Sequence, residues 1–119
     1  MDYCFGENIL PIAYSSLARA SNTVKKKGTA NVLETDLIKS LAEKYQRLPS
    51  QIVLNWGVIG RSYAIIPKSA TFERQRDNFH GVCDFKMDKE DYERITDELH
   101  DGSKICKTYD WLFNYDLYA

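Results

Sequence analysis

The sequence has little of what would mark it as secreted, metal-bound or polyanion-binding. Only three cysteines occur in 119 residues, Cys4, Cys83 and Cys106. An odd number at wide spacing argues against a disulfide framework and points to a reducing, intracellular compartment, most simply the cytoplasm. There is no CxxC or CxxH pair, and the two histidines, His80 and His100, have no companion ligands, so no metal site is expected. Lys+Arg, at 16, almost cancels Asp+Glu, at 17, leaving a formal charge of −1. That balance excludes a dominant electrostatic drive toward nucleic acid or anionic membrane. No apolar run approaches the roughly 20 residues of a membrane span. The opening stretch, with acids and Pro11, lacks the basic and then apolar regions of a signal peptide.

What is present reads as an α/β chain. The run Asn8-Ile9-Leu10-Pro11-Ile12-Ala13-Tyr14 is apolar and β-branched enough for a buried strand, with Pro11 as a defect in it. Residues 15–35 turn small and polar and read as a long loop, with Lys25, Lys26 and Lys27 on a solvated stretch. Thr35 can cap a helix to Tyr45, with Leu37, Ile38, Leu41, Ala42 and Tyr45 on one face. Pro49 opens the next helix, in which Ile52, Trp56 and Ile59 recur at helical spacing and Gly60 is the stop. Tyr63-Ala64-Ile65-Ile66 is a second strand ended by Pro67, followed by a short helix over 71–79. Asp88 caps a last helix that turns Tyr92, Ile95 and Leu99 inward and stops at Gly102. Residues 103–119 form an aromatic tail.

Two strands joined by so long a helical crossover should be parallel. Parallel strands belong to larger sheets covered on both faces, so two alone leave open edges that call for another polypeptide.

One constellation suggests chemistry. After the second strand come Lys68 and Ser69, then a helix carrying Arg74, Asp77 and Asn78. A helix start offers free N–H groups and a positive dipole end, Lys68 a mobile charge, and Arg74 a planar fork. Together they suit a phosphate monoester. The same residues also satisfy a plain surface turn with a capped helix.

These stretches resemble the aldo-keto reductase family. Ile12-Ala13-Tyr14-Ser15-Ser16-Leu17 is similar to the family's A-Y-S-P-L-G at the end of the seventh barrel strand. Ile66 through Arg74, then Asp77-Asn78-Phe79, is similar to I-P-K-S-V-T-P-E-R…E-N-F after the eighth. The ending, Trp111-Leu112-Phe113 through Asp116 to Ala119, is similar to the tails of some members. The likeness runs in order through essentially all of residues 1–119.

The resemblance implies the C-terminal portion of a (β/α)8 TIM barrel: two parallel strands and about four helices, with the barrel not closed by this chain. It implies NADP(H)-dependent carbonyl reduction as the family activity. By resemblance, Tyr14 stacks on the nicotinamide, Ser15 and Leu17 approach the pyrophosphate, and Lys68, Ser69 and Arg74 hold the 2′-phosphate. Asp77 and Asn78 would face the adenine. Tyr14 could equally be a core aromatic. Four positions depart from the pattern: Ser16 and Phe72 stand where the family has Pro, Ala18 where it has Gly, and Asp77 where it has Glu.

The family's catalytic Asp, Tyr, Lys and His fall on earlier strands, so no residue here takes those roles. A barrel of about 250 residues cannot close from this length. The expectation is therefore a truncated reductase-like chain, inactive alone. Two alternatives stand beside it: a non-catalytic structural subunit of an assembly, or an NADPH-binding module without chemistry.

Overall fold

A computed structural model of the protein describes residues 2–17 and 31–100. A one-turn helix α1 (Asp2–Gly6) precedes strand β1 (Ile12–Tyr14). A 3-10 turn (Val32–Glu34) leads into α2 (Asp36–Tyr45) and α3 (Pro49–Asn55). α3 widens without a break into a π-helical turn, Trp56–Gly60. Strand β2 (Ala64–Ile66), α4 (Phe72–Phe79) and α5 (Lys89–His100) complete the order. β1 and β2 pair in parallel, with Ile12 opposite Ala64, Ala13 opposite Ile65 and Tyr14 opposite Ile66. This is the α/β arrangement expected, an open sheet of two parallel strands with helices.

The helices follow their local signals. Thr35 Oγ1 accepts from Ile38 N–H at 3.3 Å, the N-cap that the sequence indicated. Gln46 ends α2 in the left-handed region (φ 52°), its N–H donating to the Ala42 and Glu43 carbonyls. Pro49 opens α3, where the missing N–H has no intrahelical partner to lose. The Gln51 side chain accepts from Leu48 N–H at 3.1 Å and closes that turn.

The core lies among α2, α3 and α5. Val32, Ile38, Leu41, Ala42, Ile52, Val53, Met87 and Ile95 form one buried cluster, with Leu17, Leu37, Tyr45, Trp56 and Tyr92 packed against it. Val32 shows that the end of the expected 15–35 loop is structured. The rest of that loop, residues 18–30, lies outside the described residues, as do Cys106, Gly102 and the tail over 103–119.

Four expectations change. The first strand is three residues long rather than seven, and Ile12 and Tyr14 are 62% and 49% exposed rather than buried. The side of the pair bearing Ile65 packs on the π turn, where Ile65 Cγ2 would stand 3.3 Å from a Cβ at Gly57. The other side bears Ile12, Tyr14 and the 57% exposed Ile66, and no described helix packs over it. Pro11 is no defect: it precedes the strand and its carbonyl accepts from Ala64 N–H at 3.0 Å. Ile59 is 38% exposed, because the wider π turn rotates it off the face set by Ile52. Gly60 closes that turn for want of room rather than by left-handed geometry. An added Cβ there would lie 2.7 Å from Tyr92 Cδ1.

Candidate cofactor site

The two strands end side by side, so the chain segments leaving them diverge from one place. After β1, Ser15 adopts the left-handed region (φ 51°) and turns the chain outward. Ser16 Oγ donates to Ala13 O at 2.7 Å and closes that turn. The Ser at this position thus provides a tether where a proline would have provided stiffness. After β2, Pro67 leads to Lys68 and a turn onto α4. Ser69 Oγ accepts from Thr71 N–H at 3.2 Å and stands 3.3 Å from Thr71 O. Thr71 sits at the N-cap of α4 with no side-chain bond to the helix, so the first N–H groups of α4 are uncapped from that side.

Between these two turns and the start of α3 lies an open cleft of about 920 Å³. It is lined by seven of the eight residues singled out in the sequence: Ser15, Leu17, Lys68, Ser69, Arg74, Asp77 and Asn78. Tyr14 is not in its lining. It stands one residue earlier, at the end of β1, on the exposed side of the sheet. Leu48, Pro49 and Ser50 also line the cleft. Sequence reasoning passed over them, since Leu-Pro-Ser carries only a helix-start signal.

The charges in the cleft are uneven. Lys68 and Arg74 are exposed, and neither forms an ion pair or hydrogen bond with any described residue. Asp77 is already engaged: Arg76 reaches its Oδ1 from Nη2 at 3.1 Å and Nε at 3.3 Å. Its backbone carbonyl accepts from Gln51 Nε2 at 3.1 Å, and Gln51 also donates to His80 O at 3.0 Å. Gln51 therefore fixes α4 against α3, and with it the wall of the cleft. Two unpaired cations beside an uncapped helix start suit an anion, and the neighbouring Asp77 and Asn78 supply polar groups for a larger attached body. Among the described residues no group of three or more His, Cys, Asp or Glu could hold a metal ion. No described helix is long and apolar enough to cross a membrane.

No family model matches the chain. Individual proteins do. An NADP-dependent D-sorbitol-6-phosphate dehydrogenase of Malus domestica is 32% identical over 119 residues, covering 98% of this chain and 36% of the relative. An NADPH-dependent D-xylose reductase of Meyerozyma guilliermondii is 33% identical over 115 residues, 93% of this chain and 35% of the relative. A solved aldo-keto reductase from a Medee basin deep-sea metagenome library superposes with a TM-score of 0.65 at 36% identity, covering 79% of this chain and 32% of that one. Over nearly all of its own length the chain is similar to one stretch of aldo-keto reductases. An aldose reductase of Schistosoma japonicum gives a TM-score of 0.67 at 25% identity, over 82% of this chain and 28% of its own. The chain spans about a third of the length of the curated aldo-keto reductases it matches.

Proposed function

We propose that the cleft is the nucleotide end of an NADP(H) site and that the chain serves NADP(H)-dependent carbonyl reduction. The observation that carries this reading is the pair of unpaired cations, Lys68 and Arg74, lining one cleft with the Ser15 turn. Bound there, the dinucleotide would supply the hydride for a carbonyl carbon. This chain's own residues bind and orient. Lys68 and Arg74 would hold the 2′-phosphate by charge. Ser69 keeps the intervening turn in shape, and its hydroxyl reaches the phosphate only by letting go of Thr71 O. Ser15 and Leu17 border the pyrophosphate path, and Asn78 offers its amide to the adenine edge. Asp77 has one carboxylate oxygen left for that purpose. Tyr14, at the end of β1 just before the Ser15 turn, would offer its ring to the nicotinamide.

None of these residues corresponds to the proton donor that the family resemblance implies. On this reading turnover needs residues outside this set, on polypeptide that covers the open side of the sheet. The exposed Ile12 and Ile66 favour such a covering, and they also favour the second reading, a non-catalytic piece of an assembly.

The test is nucleotide affinity by fluorescence titration. Lys68→Ala and Arg74→Ala should each weaken NADPH roughly tenfold, in line with loss of a charge-assisted hydrogen bond, and leave NADH within twofold. Equal losses for the two nucleotides would defeat the 2′-phosphate assignment and leave the assembly reading standing.

A further inference from the structure

The turn between β2 and α4 is held by a residue to which no binding role has been given. Gln75 lies on α4, one turn past Thr71. Its backbone N–H donates to Thr71 O at 3.0 Å, and its side-chain Nε2 donates to Ser69 O at 2.9 Å. The first is the opening backbone bond of α4, which any residue but proline would make; the side-chain bond is what Gln75 itself adds, reaching back across the Ser69-Ala70-Thr71 turn from outside the cleft lining. Ser69 Oγ and Thr71 N–H close the same turn from within.

We propose that Gln75 is a positioning residue that presets the Lys68–Thr71 turn for an anion, and so contributes to selecting a nucleotide that carries a 2′-phosphate. This rests on the cofactor reading above. Lys68 directly precedes the tethered Ser69. Free of the tether, Ser69 would be restrained only by its hydroxyl's bond to Thr71 N–H, and an anion binding to Lys68 would have to select among more backbone states. A turn that is ordered in advance removes that cost from the binding step. The bond also engages the Ser69 carbonyl, an acceptor that would repel an anion if it turned toward the cleft. Arg74, by contrast, is part of α4 and keeps its backbone position whether or not the tether forms. The effect of Gln75 therefore reaches the ligand through the turn carrying Lys68, and only a ligand that uses Lys68 should sense it.

The probes are 2′,5′-ADP, which carries the extra phosphate, and 5′-AMP, which lacks it. Both are titrated into the full-length protein by calorimetry. Gln75→Met keeps length and helix propensity but removes the donor. Gln75→Asn keeps the amide but falls short of Ser69. Both should weaken 2′,5′-ADP roughly three- to tenfold, the scale of one hydrogen bond, with 5′-AMP unchanged. A merely structural role would move both ligands together, and that result overturns the proposal. So does an unchanged 2′,5′-ADP affinity in both variants. Lys68→Ala, run in parallel, separates the two levels of inference. If it lowers 2′,5′-ADP affinity and the Gln75 variants do not, only the positioning role falls. If it has no effect, the cofactor reading falls and the Gln75 role with it.

Discussion

Gly60 shows how much can depend on one missing side chain. The ring of Tyr92 lies against the Gly60 backbone, and its hydroxyl donates to Asn55 Oδ1 at 2.7 Å and accepts from Met87 N–H at 3.1 Å. Asn55, fully buried, spends its own amide on Val82 O at 2.6 Å and Phe85 O at 2.9 Å. A methyl at position 60 would meet Tyr92 at 2.7 Å, and the ring cannot retreat without breaking bonds at both its partners. Gly60→Ala should therefore cost about 1–3 kcal/mol, the usual range for overpacking. Urea unfolding followed by circular dichroism would measure it, and an unchanged midpoint would show that the ring has somewhere to go. The sequence marks Gly60 as a helix end, which it is. Nothing in the local pattern indicates that the reason is a tyrosine more than thirty residues later.

At the scale of elements, α2 and α5 are strapped together by charge. Lys44 Nζ donates to Asp88 Oδ2 and Asp91 Oδ2, each at 2.7 Å. Asp91 also accepts from Tyr45 Oη at 2.7 Å and Arg94 Nη1 at 2.9 Å, although it is buried. Burial alone would raise the Asp91 carboxyl, but the bonds from Lys44, Tyr45 and Arg94 outweigh it and hold the group below the usual carboxylate range. The same bonds, to Asp88 first and Asp91 next, raise Lys44. A depressed carboxylate adds stability above its unfolded value, near 4, and that stability is lost as pH falls through its lower folded value. Asp91→Asn should thus be less stable than the parent by about 1–2 kcal/mol at pH 7, with the difference shrinking below pH 4. Urea midpoints at pH 7 and pH 3 would give the comparison, and a gap equal at both would remove the carboxylate from the account. This strap was illegible in the sequence because its partners lie more than forty residues apart. The helices themselves were legible, since Thr35, Pro49 and the apolar spacing of α2 are local signals. The exception is the π turn, where one face could be read only as far as Trp56. Most of the candidate site was legible for another reason: its residues sit in two short motifs at the ends of two strands. Tyr14 and the α3 start were not settled that way, because alignment of a motif does not say which side of a sheet a ring occupies.

For the whole molecule the governing fact is the open side of the sheet. Ile12, Tyr14 and Ile66 stand together in register, with Ile9 and Leu10 also exposed just before them. An apolar patch of this kind marks a contact surface or an aggregation hazard. Ile12→Glu with Ile66→Lys should reduce self-association of the protein in sedimentation velocity while shifting folding stability by less than about 0.5 kcal/mol, since neither side chain is buried. Loss of folding instead would mean that the sheet side contributes to the core after all. The β1–β2 pairing has a further consequence, one of timing. Ala13 meets Ile65 across 52 positions of chain, whereas α2 and α3 are joined by three residues. Closing a long loop costs entropy before any contact repays it. The helical pair can therefore condense early and locally, while the strands must wait until it has drawn them together. On this order the cleft, mounted on the ends of those strands, would be completed last, and any ligand that fits it would meet no finished site until the final step.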